Sequence, residues 1–259
     1  MRTIRFIRKA FLNPARATQN HSLLKHILLK PVIFDLISYG MQLRDYRRLA
    51  KIRESAPDDV FLAKVHDYNA GVTENKIITT SRRAEMLYQA LSLPARDLAN
   101  EKLLIVGPRN VQELFIAWLY GYSWQNIQAI DLYSTNPKIL VMNMEETSFT
   151  DNAFDAIAMS YTLAYAKDTF RCLSEMVRIL KPSGRFVFGA TYFPQGTAWP
   201  GNLVSGSQMR DMLKRLGFAL NYYNASDKTN SLGGLQTVHA FAVQKKDATN
   251  PGFDRVDWL

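Results

Sequence analysis

From residue 102 onward the apolar positions fall into short runs that alternate with helical stripes. Residues 102–106, 127–131, 138–142, 155–160, 184–191, 218–223 and 238–244 read as strands, and 111–120, 168–180 and 207–216 as helices. This alternation predicts an α/β, Rossmann-like, doubly wound and mainly parallel seven-stranded sheet with helices on both faces. The last two strands are joined by a loop and not by a helix. They are therefore expected to pair as a C-terminal antiparallel hairpin.

Before residue 102 helical stripes flank a connector. Ile4, Ile7 and Phe11 make one stripe, ended by Pro14; Leu23, Leu24, Ile27 and Leu28 make a second, ended near Pro31. Residues 32–54 read as a third helix, and 81–93 as a helix stopped by Pro94. The implied organisation is a helical N-terminal extension (1–55), a connector (56–80) with Pro57 and Gly71, an α/β domain (81–246) and a tail (247–259).

Charge sharpens that division. Residues 1–55 hold twelve Lys or Arg against three acids, which accounts for the whole net charge of +9 and leaves the remaining chain neutral. Such asymmetry points to an anionic partner for the extension, a membrane surface, a nucleic acid, a phosphorylated substrate or an acidic protein face, and an extended helical arm also suits a homodimer. The apolar run 23–41 is broken by Lys25, His26, Lys30, Pro31 and Asp35, short of the roughly 18 residues a span needs. Arg5, Arg8 and Lys9 interrupt any signal-peptide core, so a cytoplasmic protein is expected, or one peripheral to the inner face of the membrane. The single cysteine, Cys172, excludes an internal disulfide and a cysteine-rich metal site; its apolar neighbours mark it as core filler.

In open α/β sheets ligands sit at the carboxyl ends of the strands, so candidate chemistry is sought there. After the first strand comes Gly107-Pro108-Arg109-Asn110. Gly107 can take positive φ, Asn110 is a favoured N-cap, and Glu113 follows at capping-box spacing. The helix start would attract an anion. Arg109 could meet a carboxylate or a phosphate there, or be a plain surface residue. Asp131-Leu132 ends the second strand at the distance from the glycine turn where an acid accepts ribose hydroxyls; a turn-forming role is the alternative. Asn143-Met144-Glu145 follows the third strand, where a polar side chain and backbone could bracket an adenine, although Glu145 could equally be solvated. Ser160-Tyr161 ends the fourth strand. Tyr161, Tyr165 and Tyr192 are the candidates for lining an acceptor pocket or acting as a base, with aromatic packing as the alternative. His239 alternates with strand residues, as an ordinary sheet histidine does.

Taken in order, these segments resemble the class I S-adenosylmethionine-dependent methyltransferases (methyltransferase type 11-like) over roughly residues 80–245. Phe154-Asp155 and Arg178-Ile179-Leu180-Lys181-Pro182-Ser183-Gly184 match the family's fourth-strand opening and its Arg-x-Leu-Lys-Pro-Gly-Gly ending. Asp131 matches its ribose-binding acid. The first motif departs from the pattern: Ile105 stands at the acid position, and Arg109 and Val111 replace the second and third glycines. Asn143 replaces the acid after the third strand. Val106-Gly107-Pro108-Arg109 with Glu113 is similar to an "IGPR…E" variant of a divergent branch. The resemblance implies S-adenosylmethionine as cofactor, held by Gly107, Pro108, Arg109, Asn110, Asp131, Leu132, Asn143, Met144, Glu145, Ser160 and Tyr161, with no metal. It implies in-line methyl transfer to a small-molecule acceptor or biosynthetic intermediate, including a glycan or lipid-linked one. A non-catalytic relative used for binding or assembly is the alternative, on the strength of the lost acid and glycines. A nucleic-acid methyltransferase is a second alternative, against which stand the neutral body and the lack of an Asn/Asp-Pro-Pro-Tyr-like motif.

Overall fold

The computed structural model describes residues 58–75, 83–92, 97–134, 136–229 and 233–246, with 27, 28, 30, 32–37, 39, 40 and 43 nearer the N-terminus. The first helical stripe, Leu23 and Leu24 of the second, the basic residues 44–53 and the tail 247–259 lie outside the described residues. Seven strands form one mixed sheet in the order β3-β2-β1-β4-β5-β7-β6, and the chain divides into two compact units, Met1–Val141 and Met142–Leu259. The expected seven-stranded α/β architecture with an antiparallel C-terminal pair is thus the observed one.

The first unit contains α1 (Val60–Asn75), α2 (Arg83–Ser92), β1 (Leu103–Val106), α3 (Val111–Leu119), β2 (Ile127–Asp131) and β3 (Ile139–Val141). β1 pairs with β2, and β2 with β3, all parallel. Every residue of β1 is buried, which is why Leu-Leu-Ile-Val reads as an unbroken apolar run without alternation. Eight of the nine residues of α3 are buried, so this helix has no polar face. α1 lies within the range read as a connector. Val65, His66 and Ala70 are its buried residues, and Ala70 packs with Tyr133.

The second unit contains β4 (Phe154–Met159), α4 (Thr169–Ile179), β5 (Leu180–Tyr192), α5 (Gly206–Arg215), β6 (Phe218–Thr229) and β7 (Leu235–Lys245). β4 and β5 are parallel; β7 runs antiparallel to both β5 and β6. α4 buries Cys172, Leu173, Met176 and Ile179 at helical spacing, and burial pushes the Cys172 thiol pKa up, the behaviour of a core residue. α5 starts where it does because of a capping box: Ser205 accepts from the Gln208 N–H, and the Gln208 side chain accepts from the Ser205 N–H. β5 begins four residues before the expected strand. Leu180 already pairs with Phe154, and the chain loops out before Arg185 pairs with Ala156. Lys181-Pro182-Ser183-Gly184 is therefore a bulge inside the strand's span, with Ser183 left-handed (φ 59).

Two cations hold the entrance to this unit. The Arg178 guanidinium donates to both Glu175 oxygens (2.8 and 2.7 Å), to the Phe149 carbonyl (2.8 Å) and to Asp151 (2.7 Å). Burial raises the Glu175 pKa, but the hydrogen bonds from Arg178 and Thr147 outweigh it and leave it below the usual glutamate value. The Lys245 ammonium donates to the Val177 (2.8 Å) and Leu180 (2.7 Å) carbonyls, closing the C-terminal end of α4. Lys181 meets Asp155 at 2.8 Å, so the two halves of the matching motif are paired in space. Replacing Arg178 by Met should lower stability by about 2–3 kcal/mol, the scale of several charge-assisted hydrogen bonds lost at a partly exposed site. Arg178→Lys should recover less than half, because a point charge cannot serve a fork of acceptors. Urea unfolding of the three proteins checks both statements.

Candidate functional site

In the first unit the chain leaves β1 through a tight, left-handed turn. Gly107 has φ 67 and its N–H donates to the Ile130 carbonyl at 2.8 Å, which ties the turn to β2. Arg109 also has positive φ (46), at the position where the family pattern has a second glycine. A non-glycine residue there carries strain of about 1 kcal/mol, and such strain collects at ligand sites. Asn110 is extended, and its side chain accepts from the Gln112 N–H at 2.9 Å. The cap bond therefore goes to the second helical residue. Pro108 is buried and Ile105 lies fully inside β1, so position 105 offers no polar group.

Asp131 ends β2 beside this turn. Its carboxylate accepts from the Leu132 N–H at 2.7 Å and from the Arg109 backbone N–H. Burial nonetheless pushes its pKa up to about 7, against the lowering effect of those two bonds and of the Arg109 charge. A half-buried carboxylate at the end of β2, already bound by two backbone N–H groups, fits a site where a ligand such as a vicinal diol adds further donors. The turn, the helix start and the partly exposed Arg109 fit the anionic end of the same ligand.

Two further side chains in this unit were not singled out from the sequence. Gln112 is buried, and among the described residues its Nε2 has no hydrogen-bond partner. A polar residue in a first helical turn ordinarily faces water, so its type gives no signal. His66 of α1 is fully buried and meets Tyr133, two residues beyond Asp131, edge-on at 6.0 Å. α1 is thus packed against the segment that leaves Asp131. The helical spacing of Phe61, Val65 and the 66–70 pair could have signalled it.

In the second unit Asn143 forms a local turn, accepting from the Glu145 N–H at 3.0 Å, with Met144 partly exposed between them. Glu145 is neither solvated nor turned outward. It is buried, and its carboxylate accepts from the Lys167 N–H and the Asp168 N–H (3.3 Å). Those bonds fix the entry to α4, so Glu145 supports the fold more than it offers a ligand group. Glu146 pairs with exposed Arg171.

Ser160 and Tyr161 follow β4, and Tyr161 is again left-handed (φ 61). Its ring lies on β5 where Gly189 has no side chain: a Cβ there would come within 2.7–2.9 Å of the ring carbons. Tyr165 meets Trp199 edge-on at 5.3 Å, bringing the loop after β4 to the loop after β5. These two loops make an aromatic corner at the carboxyl ends of their strands. Tyr192 stands at the last β5 pair, opposite Thr237, partly exposed. His239 is buried in β7, with Nδ1 3.0 Å from the Tyr223 hydroxyl. Burial lowers its pKa, opposed by Asp227 and reinforced by Arg210, so the imidazole is neutral at pH 7. No group of three or more metal-ligating side chains occurs among the described residues.

Comparison with known proteins finds methyltransferases. A family model described as a methyltransferase domain matches residues 121–188. The ubiquinone/menaquinone biosynthesis C-methyltransferase UbiE of Rickettsia felis is 33% identical over 184 aligned residues, covering 58% of this chain and 68% of that protein. Its counterpart in Rickettsia prowazekii is 34% identical over 98 residues, covering 38% of this chain and 36% of the relative, so that match spans well under half of the relative's length. Among solved structures, Haemonchus contortus phosphoethanolamine N-methyltransferase 2 in complex with S-adenosyl-L-methionine has a TM-score of 0.51 at 14% identity, covering 73% of this chain and 59% of that one. At that identity the likeness concerns the fold alone.

The raised Asp131 pKa has a consequence for stability. The unfolded carboxyl ionises near its ordinary value of 3.8, and the folded one only near 7. The folded state therefore binds more protons between those values, and stability falls as pH rises through that window, levelling above about 7. Asp131→Asn should remove the fall. It should be more stable than the parent by on the order of 2–4 kcal/mol at pH 8 and nearly equal to it at pH 4. Thermal melts of both proteins across pH 4–8 check this, and parallel curves would refute it.

Proposed function

Because the chain belongs to the class I S-adenosylmethionine-dependent methyltransferases, we propose that its first unit holds the ribose and amino-acid portions of S-adenosylmethionine. The observation that carries this is the Asp131 carboxylate, desolvated beside the left-handed Gly107–Asn110 turn. Asp131 and Leu132 take the ribose, Asp131 by accepting its hydroxyls. Arg109 takes the carboxylate, with Gly107, Pro108 and Asn110 setting the turn that presents it; this replaces the contact that an acid at position 105 would make to the ammonium.

When bound, S-adenosylmethionine supplies a methyl group on a positively charged sulfur. The protein's own contribution is proximity and alignment for an in-line displacement at carbon, which needs no fixed catalytic residue. The aromatic corner of Tyr161, Tyr165 and Trp199 suits a flat, apolar acceptor. The Rickettsia relatives are named for C-methylation in ubiquinone/menaquinone biosynthesis. We assign this chain a small-molecule acceptor of related character, an unsaturated ring or lipid-linked intermediate. A carbon acceptor that must lose a proton needs a base, and Tyr161, Tyr165 and Tyr192 are the groups at that end.

Calorimetric titration with S-adenosylhomocysteine and with 5′-methylthioadenosine, which lacks the amino-acid portion, tests the assignment. S-adenosylhomocysteine should bind more tightly as pH rises through about 7, where Asp131 ionises. Arg109→Asn tolerates the left-handed backbone and removes the cation. It should weaken S-adenosylhomocysteine about tenfold, the scale of one charge-assisted contact, and leave methylthioadenosine unchanged. Equal losses for both ligands would remove Arg109 from the carboxylate. No binding of either ligand at millimolar concentration would favour a non-catalytic relative.

A further inference from the structure

The described residues of the N-terminal extension raise a separate question. Residues 32–37, 39, 40 and 43 are helical, with the Phe34 N–H bonded to the Lys30 carbonyl at 2.9 Å. Phe34 is 2% exposed and stacks on Phe115 of α3, ring centroids 5.8 Å apart. That contact fixes which side of the helix meets the first unit. On the other side stand Val32, Leu36, Tyr39 and Leu43, with 70%, 65%, 36% and 46% of their surface exposed. At about 100° per residue these four fall within an arc of roughly 60°, facing away from Phe34.

A helix that only packs on its own domain turns its polar side outward. This one is apolar on both sides among the described residues. The charge around it identifies what covers it. Residues 1–55 carry the entire net charge of +9, including Lys25 and Lys30 before the stripe and Arg44, Arg47 and Arg48 after it. A second copy of the chain would suit the apolar stripe, but would bring two such charges together. An anionic bilayer suits both features: the stripe enters the headgroup boundary while the flanking cations meet lipid phosphates. The geometry is that of a helix lying on the surface, since among the described residues no helix is long and apolar enough to cross a membrane.

We propose that the Val32-Leu36-Tyr39-Leu43 face docks the protein on an anionic membrane surface. The inference does not depend on the methyl-transfer assignment, because it rests on a different face and a different chemistry.

Cosedimentation of the full chain with vesicles of phosphatidylcholine, alone or mixed with phosphatidylglycerol, tests it. Partition onto the anionic vesicles should exceed that onto neutral ones by about tenfold and should drop sharply in high salt. The double variant L36D/L43D should lose about tenfold in partition, and the milder L36S/L43S a smaller part of it. Both should keep the parent melting temperature, since the face points away from Phe115. Equal binding to both vesicle types would overturn the proposal, as would undiminished binding by a variant that melts like the parent. Concentration-dependent dimerisation abolished by L36D/L43D, without vesicle binding by the parent, would assign the face to a second copy instead.

Discussion

Between Val106 and Val111 the chain must stop a buried strand, reverse and start a helix within four residues, and the proposed ligand edge of the first unit rests on that turn. Backbone sterics allow it only with left-handed residues, met at Gly107 without strain and at Arg109 with some. What keeps Arg109 there is visible: its N–H is bound by the Asp131 carboxylate, and the Gly107 N–H by the Ile130 carbonyl. The acid that would serve the ribose thus also fixes the turn that presents the cation. Lost glycines need not mean a lost site when the backbone geometry they supply persists in other residues.

The second unit shows a different use of recognisable residues. Arg178, Lys181 and Asp155 carry much of the family resemblance, yet they join loop to helix and strand to strand. Glu145 likewise fixes the entry to α4. Motifs of this kind report how the fold is held. A displacement at carbon asks for alignment more than for a fixed acid or base, so the chemistry leaves few marks of its own. The aromatic corner, with Tyr161 resting where Gly189 makes room, is the part of this unit proposed to meet the acceptor.

Much of this was legible in one sequence. Strands buried on both faces give continuous apolar runs, and caps and stops bound the helices; β2 spans the very residues read for it. Amphipathic α4 lies within one residue of its reading. Less was legible where tertiary contact overrides local signals. α1 fell in a presumed connector because Pro57 and Gly71 suggested a break, while packing against Tyr133 stabilises a helix there. β5 starts early because Leu180 pairs with Phe154, a long-range contact that no local pattern encodes. β6 and β7 run longer than their apolar cores, since ladder bonds between neighbouring strands need no hydrophobic side chains.

The sequence by itself determined the α/β architecture, the order of its elements, the candidate turn and acid, and the concentration of charge in the first 55 residues, because periodicity, turn chemistry and composition are local properties. Only the tertiary structure decided the conformation of Arg109, the desolvation of Asp131, the commitment of Glu145 to backbone N–H groups and the outward turn of the Val32–Leu43 stripe. Each depends on which atoms lie beside it in space, and that is fixed by packing between segments far apart in the chain.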